Sequence, residues 1–148
     1  MNHFFKNFGK GPILILLLIL GLTVQLYKSW DEAQIKARDV KRLSDIFLIQ
    51  TGLKLYFENC NEYPKTVSLE VGGDHCPANK TLGAFLRSIP TAPSGCITAQ
   101  SDNNSASYVY VATLTNYSIY FCTEKDVPGS PIVSGGSNHV ATPLTLSN

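Results

Sequence analysis

Charged side chains are scarce in this sequence of 148 residues. They account for 16 % of the chain, whereas roughly a quarter is typical of a soluble domain. Much of the deficit lies in an apolar N-terminal stretch and in a second half rich in Ser, Thr, Asn and Gly. The formal net charge is only +1, which indicates no overall attraction to nucleic acid or anionic lipid. The length predicts one modest domain in addition to the N-terminal stretch.

Recognisable catalytic motifs are missing as well. The sequence contains no G-x-S-x-G, no H-E-x-x-H and no Walker loop. Its histidines are scattered, and a partial zinc set of His75, Cys76 and Cys60 has no fourth ligand at a suitable spacing. We therefore expect a protein that is not an enzyme and that uses neither a cofactor nor a small-molecule substrate.

No C-x-x-C pair occurs among the four cysteines, which are Cys60, Cys76, Cys96 and Cys122. All of them follow the apolar stretch, as expected if this part of the chain folds in a compartment that permits disulfides. Of the three possible connectivities we favour Cys60–Cys76 with Cys96–Cys122, because each bridge then closes a local loop. Each bridge is expected to add about 3 kcal/mol by restricting the unfolded chain. Free thiols are the alternative.

The N-terminal apolar stretch has the composition of a membrane helix. Its core, Pro12–Leu26, is interrupted only by Gly21, Thr23 and Gln25. As a helix this core spans about 22 Å, compared with roughly 30 Å for the hydrocarbon layer of a bilayer. We expect residues 12–30 to cross a bacterial-type cell membrane once. Aromatic residues can extend the helix into both interfaces, and these are Phe8, Tyr27 and Trp30.

The charges around this stretch predict its orientation. Lys6 and Lys10 precede it without an acidic neighbour, which favours a cytoplasmic segment at residues 1–11 and an extracytoplasmic remainder, although Lys28 weakens the asymmetry. A cleaved secretory signal peptide is the alternative, since a charged start and an apolar centre also fit one. The segment "VQLYKSWDEAQ" lacks a small-x-small cleavage site, and this favours retention in the membrane.

A second helical pattern follows the membrane stretch. No proline and a single glycine occur between Asp31 and about Asn59, and apolar residues recur there at helical spacing. Because they become denser after Ile46, we expect the first part to be solvated or loosely packed and the second part to dock on a folded domain. One helix from Pro12 to Asn59 is the expectation, and two helices with a hinge near Ser29–Asp31 are the alternative.

The second half of the chain has the pattern of a small sheet. The segments "CITAQS", "SYVYVAT" and "YSIYFC" are typical of strands, and the "LTN" between the last two predicts a hairpin turn. The fold class is therefore α+β, with a three- or four-stranded antiparallel sheet covered on one face by the helix. The Pro-, Gly- and Ser-rich C-terminus predicts a surface loop or tail.

Four tyrosines of the predicted strands allow two interpretations. They can form a strip on which a ligand, a glycan or single-stranded DNA stacks, or they can pack in the core and along the edge of the sheet. We favour packing, and nucleic acid is an unlikely partner because the region is poor in Lys and Arg. The four residues are Tyr108, Tyr110, Tyr117 and Tyr120.

The stretch "RDVKRLSDIFLIQTGLKLYFENCNEYP", Arg38–Pro64, resembles the helix of type IV pilin-like proteins, in particular the major pseudopilins of type II secretion. "FLRSIPTAP" is similar to the turn that follows the family's helix, and "SYVYVATLTNYSIYFC" is similar to its terminal hairpin. The resemblance covers most of Arg38–Cys122. Its most specific part is the helix-end motif of Tyr56, Asn61, Tyr63 and Pro64.

The resemblance implies a long N-terminal helix embedded in a membrane or filament core and a small extracytoplasmic head. Residues 31–60 then continue the helix onto the head, and residues 61–148 form the head with a disordered-like C-terminal tail. Copies of the same chain, other pilin-like subunits and the assembly machinery are the implied partners. The helix residues expected to pack in the assembly are Leu14, Leu16, Leu18, Leu22, Val40, Leu43 and Phe47.

The chain departs from the family at three places. Gly11 and Pro12 occupy the position of the family's processing site, and Leu16 stands where the family has a Glu that pairs with a neighbour's N-terminal amine. Asp102 and Asp126 are the only acids near the family's calcium loop, so the sequence does not support calcium.

We expect a structural subunit of a type IV pilus or type II secretion pseudopilus-like filament. One alternative is a non-polymerising single-span protein with a small extracytoplasmic interaction domain. Others are a DNA-uptake-type binding pilin and a secreted binding domain.

Overall fold

A long N-terminal helix and a small antiparallel sheet make up the fold, so the α+β class expected from the sequence is confirmed. The computed structural model describes residues 10–70, 72, 76–77, 80–98, 107–125 and 136–143. The chain divides into two compact units, Met1–Gln34 and Ile35–Asn148. The helix α1, Lys10–Cys60, contributes residues to both units, and the sheet belongs to the second.

Helix α1 is continuous over 51 residues. It does not break at Ser29–Asp31, so the alternative of two helices is wrong. Pro12 lies in the first turn, where its missing N–H removes no intrahelical hydrogen bond. The helix ends because Asn61 adopts a left-handed conformation with φ +55°, a backbone state that Asn tolerates better than most residues.

Three strands form the sheet in the order β1, β2, β3. Strand β1 is Val109–Ala112, β2 is Tyr117–Thr123 and β3 is Gly136–Ala141. The first two strands are joined by the predicted hairpin turn, in which the Thr113 N–H donates to the Asn116 carbonyl at 2.8 Å. Both pairs are antiparallel, and Ile119 of the central strand lies opposite Tyr110 on one side and Ala141 on the other.

Two predictions about the sheet are wrong. Strand β3 lies in the segment expected to be a surface loop or tail, because β2 offers a second edge whose backbone groups pair with it. The expected strand "CITAQS" is not formed at Cys96–Thr98, where the carbonyls just upstream are bonded by an arginine side chain rather than by a neighbouring strand. The rest of that segment lies outside the described residues.

The core lies between one face of α1 and the inner face of the sheet. Residues of α1 at steps of three and four meet alternate residues of β2, which is how a helix stripe and a pleated sheet bury each other. A 3₁₀ turn, Leu82–Ala84, contributes the buried Leu82. The buried apolar side chains of this core include Ile46, Ile49, Leu53, Tyr56, Leu82, Leu86, Ile119 and Phe121.

The absence of a side chain at Gly52 allows the chain after the 3₁₀ turn to lie close to α1. A Cβ at this position would lie 3.3 Å from Cβ of Leu86, closer than ordinary packing allows. The glycine therefore lets Leu86, itself buried, pack directly on the helix.

Leu53→Ala is expected to lower the free energy of unfolding by about 3 kcal/mol, because the side chain is fully buried and its removal leaves a cavity. Leu55→Ala is the matched control, since Leu55 is exposed on the same helix, and it should cost about 0.5 kcal/mol or less. Denaturant unfolding of the purified full chain in detergent measures both. Equal losses would contradict the assignment of the core face.

Candidate functional site

The first unit presents an apolar helical surface. Every residue of α1 from Gly11 to Gln34 is exposed, and the large apolar side chains among them are at least half exposed. Among the described residues, α1 is the one helix that is long and apolar enough to cross a membrane, with a mean hydropathy of 1.8 in its most apolar window. The expected assembly residues of this segment, all exposed, are Leu14, Leu16, Leu18 and Leu22.

The residues at the expected processing site lie at the start of this segment. Gly11 and Pro12 both belong to the first turn of α1, and the space around Gly11 is open. Leu16 follows about one turn later as one of the exposed side chains.

In the second unit, α1 has a second exposed surface, which we call the outer face. It lies opposite the core face, as helical spacing requires, and all its residues are exposed. Two of the three assembly residues expected here, Val40 and Phe47, belong to it with exposed fractions of 58 % and 55 %, whereas Leu43 packs against the core. The outer face consists of Ala37, Val40, Ser44, Phe47, Leu48, Thr51 and Leu55.

A buried ion-pair network fixes the first turns of α1 in this unit. Nη1 of Arg42 donates to Oδ1 of Asp39 at 2.5 Å and to Oε1 of Glu124 at 3.0 Å. The Asp39 carboxylate also accepts from the backbone N–H groups of Glu124 and Lys125 at 2.9 and 3.0 Å. Arg38 completes the network through two hydrogen bonds to the Glu124 carboxylate, at 2.8 and 2.6 Å.

The Arg42 guanidinium also binds the segment that precedes Cys96. Nη2 of Arg42 donates to the carbonyls of Pro93 and Ser94 at 3.1 and 2.7 Å. Gly95 comes next, with φ +117°, and a Cβ there would overlap the Glu124 carboxylate. Only glycine combines this backbone conformation with so close an approach. The network therefore joins α1, the 93–95 segment and the residues after β2.

These contacts correct the expectation that the first part of the helix is solvated or loosely packed, but only from Asp39 onwards, since Asp31–Gln34 are exposed as expected. Asp39 and Arg42 are each only 1 % exposed, and Asp45 is buried between Nζ of Lys41 at 2.7 Å and the Tyr108 hydroxyl at 2.9 Å. The density of apolar residues did not predict that this part of the helix docks, because charged groups make the contacts. A signal was present, since Asp39 and Arg42 continue the three-and-four spacing of the core stripe towards the N-terminus. Glu124 had no comparable signal.

Hydrogen bonds from Arg38 lower the pKa of Glu124 below its ordinary value, against an opposing effect of burial. A carboxyl whose pKa is lower in the folded state stabilises the fold above its ordinary pKa and loses that contribution as the pH falls through the lowered one. The network is thus strongest at neutral pH.

The disulfides have the connectivity that the sequence favoured. Cys60 is bonded to Cys76 and Cys96 is bonded to Cys122, so the described residues contain no free cysteine. The first bridge joins the last residue of α1 to the following loop. The second joins the segment held by Arg42 to β2. Cys60 and Cys76 are therefore not available as thiolate zinc ligands, while His75, Asp102 and Asp126 lie outside the described residues.

The helix-end motif forms the joint between α1 and the sheet. The Asn61 N–H donates to the Phe57 carbonyl at 2.8 Å, and the Tyr63 N–H donates to the Leu114 carbonyl of the hairpin at 2.9 Å. The Tyr110 hydroxyl donates to the Pro64 carbonyl at 2.9 Å. Tyr56 and Pro64 are among the most buried side chains of the fold.

The tyrosines of the sheet pack rather than form one exposed strip. Tyr117 meets Tyr63 edge to face, with ring centroids 4.8 Å apart, and Tyr110 lies 6.0 Å from Tyr117. Burial raises the pKa of Tyr108, Tyr110 and Tyr117, so all three hydroxyls stay neutral at physiological pH. Tyr120 lies on the opposite face of β2, since side chains alternate along a strand.

A cleft of about 250 Å³ lies beside β1. Its lining includes the buried Ile49 and Ile119, and the described residues that line it include no charged side chain. The cleft presents an apolar surface, but its described lining residues include no carboxylate, basic side chain or other charged group that could act on a ligand. The remaining lining residues are Val67, Ile89, Pro90, Thr91, Ala92, Ser107, Tyr108 and Tyr110.

Glu124→Gln should lower the free energy of unfolding at pH 7 by about 2 kcal/mol, because hydrogen bonds to two arginines lose their charged acceptor. The difference from the wild type should shrink as the pH falls below about 4.5, the ordinary pKa of the group. Denaturant unfolding at several pH values measures this, with the exposed Glu58→Gln as control. A pH-independent difference would contradict the ion-pair account.

Cys60→Ser and Cys96→Ser should each destabilise the head by about 3 kcal/mol, because each removes a bridge that restricts the unfolded chain. Thermal melting of the purified chain in detergent measures the loss, and adding a reductant to the wild type should cost about as much as both variants together. Unchanged melting of both variants would refute the two bridges.

In comparisons with known proteins, no protein-family model, no curated protein and no solved structure matches this chain. What the protein does is therefore inferred from its own residues, namely an exposed apolar helix segment, an exposed outer face and a head held on the helix by ion pairs and disulfides.

Proposed function

We propose that the chain is a membrane-anchored, pilin-like structural subunit of a type IV pilus or type II secretion pseudopilus-like filament. The observation that supports this proposal is that the two parts of one helix have different surroundings. The first part of α1 exposes its apolar side chains all around, and the second part is docked into a disulfide-bonded head. In this reading, the helix is the functional element.

The apolar segment of the first unit inserts in the bilayer. Its large side chains gain about 25 cal/mol for every Å² of apolar surface removed from water, which is the usual driving force for such an anchor. The N-terminus stays in the cytoplasm, as Lys6 and Lys10 favour. Two disulfides in the second unit support its location in an oxidising, extracytoplasmic compartment.

The buried network and the helix-end motif keep the head fixed on the second part of α1. In a filament whose subunits pack through their helices, each head takes a defined position only if it is fixed on its own helix. Ion pairs to Glu124 at one end and the Tyr63 backbone bond at the other hold the helix at two points. The head then sets the filament surface.

A second candidate function follows from Leu16. The family's Glu at this place registers one subunit against the next, and a buried charge needs its partner. A leucine at this position removes both the energetic cost of burying a charge and the contact that sets the register between subunits. This favours a non-polymerising single-span anchor for a small extracytoplasmic interaction domain. A DNA-binding role of the uptake type has less support, because the aromatic side chains that would stack on bases are engaged in packing.

Leu16→Asp and Leu18→Asp should each reduce the amount of sedimentable filament sheared from cells by ten-fold or more, because a carboxylate in the apolar layer costs about 3 kcal/mol. Thr91→Asp, an exposed head position, is the control and should leave assembly unchanged.

The membrane fraction is measured in parallel with the sheared fraction. Normal filaments from both leucine variants would contradict the role of the helix in assembly. Membrane-bound wild-type protein that yields no filament would favour the single-span anchor instead.

A further inference from the structure

Strand β1 has one edge that no other described strand covers. The sheet order is β1, β2, β3, so β1 pairs with β2 on one side only. The Thr113 N–H donates across the hairpin to the Asn116 carbonyl. Because bonded and non-bonded pairs alternate along an antiparallel ladder, Val111 also bonds to β2, whereas Tyr110 and Ala112 direct their N–H and C=O groups to the other side. We call this side the free edge.

The backbone groups of the free edge are available for a new partner. Among the described residues, no group is hydrogen-bonded to the N–H or the C=O of Tyr110 or Ala112. Such groups on an edge strand are a template for another extended chain, whose own N–H and C=O groups have the same two-residue spacing. The chemistry of this edge therefore favours a polypeptide in the β conformation.

The cleft beside β1 lies next to the free edge. It is lined by Tyr108 and Tyr110 of this part of the chain and by Ile119, which lies opposite Tyr110 in β2. Its volume of about 250 Å³ exceeds the roughly 150 Å³ that accommodates a benzene ring in a buried apolar cavity. The cleft can therefore take one large apolar side chain.

Strand pairing would direct such a side chain into the cleft. Residues directly opposite each other in neighbouring strands have their side chains on the same face of the sheet. A residue of an added strand that lies opposite Tyr110 thus points to the core face, where Tyr110 lines the cleft. Its two neighbours point to the opposite face of the sheet, close to Val111, which is 55 % exposed. The matching segment has a large apolar residue between two aliphatic residues.

We propose that the head binds an extended apolar segment of another protein by strand addition at the free edge, with one large apolar side chain in the cleft. Main-chain hydrogen bonds to Tyr110 and Ala112 provide the attachment, and the cleft selects the side chain. A charged central residue is disfavoured, because the described lining of the cleft contains no charge to pair with it. The site lies within the second unit, so the proposal holds for a filament subunit and for a single-span anchor alike.

Binding of a fluorescent peptide tests strand addition. The probe is Lys-Thr-Val-Phe-Val-Thr-Lys, whose terminal lysines keep it soluble, and the full chain is held in phosphatidylcholine nanodiscs with empty nanodiscs as the blank. We expect this peptide to bind about ten-fold more tightly than the same peptide with alanine in place of phenylalanine. A peptide methylated at the backbone nitrogens of its three central residues keeps the side chains but loses the donors, and it should bind about ten-fold more weakly.

Variants of the chain distinguish the edge from the cleft. Ala112→Pro removes an N–H from the free edge and keeps the pairing with β2, because edge strands tolerate proline where the N–H points outward. It should weaken binding about ten-fold, whereas the matched Ala112→Ser keeps the N–H and should bind like the wild type. Ala92→Phe fills the cleft from its lining and should remove the preference for phenylalanine over alanine in the peptide. Melting of Ala112→Pro close to that of Ala112→Ser shows that it folds.

Hydrogen exchange of the wild-type chain tests the contact without any substitution. Saturating peptide should slow the exchange of the Tyr110 and Ala112 amides by about ten-fold or more. Equal binding of the methylated and unmethylated peptides, or unchanged exchange of these two amides, overturns strand addition even if phenylalanine enters the cleft. The absence of binding at millimolar peptide overturns the site. Protection of the same amides that rises with chain concentration in the absence of peptide shows pairing of two copies through this edge, and it overturns the choice of partner.

Discussion

The buried guanidinium of Arg42 is the constraint on which the second unit depends. A charge that is 1 % exposed must be paired and hydrogen-bonded. Both terminal nitrogens of Arg42 are bonded, to two carboxylates and two backbone carbonyls, whereas its buried Nε has no partner among the described residues. These partners come from three separate parts of the chain. Satisfying one side chain therefore fixes the rotation of α1 about its axis, and with it which residues face the core and which form the outer face.

Covalent bonds and apolar packing support the same arrangement. A three-stranded sheet with one covering helix buries little surface, and small domains of this kind commonly need additional links. Here the Cys96–Cys122 bridge is close in sequence to both the carbonyls bonded by Arg42 and the carboxylate of Glu124. The Cys60–Cys76 bridge reinforces the other end of the docked helix. Neither bridge involves a residue of the outer face.

Local patterns in the sequence predicted the elements whose causes are local. A run without proline and with one glycine predicted α1, the "LTN" segment predicted the β1–β2 hairpin, and loop closure predicted both disulfides. The buried positions of Asp39 and Arg42 could not be read from hydrophobic periodicity, because their burial depends on Glu124 more than 80 residues away. Strand β3 was missed for a similar reason, since its pairing is determined by the free edge of β2 rather than by its own polar composition.

The proposed function requires that the mature protein keeps its apolar segment and is anchored by it. Intact mass and N-terminal sequencing of the protein recovered from the native membrane and soluble fractions decide this. We expect a membrane-bound chain that still contains Pro12–Leu26. Within that result, a start at Pro12 favours the filament subunit and a start at Met1 favours the permanent single-span anchor. A soluble chain that begins near Asp31 would contradict the account.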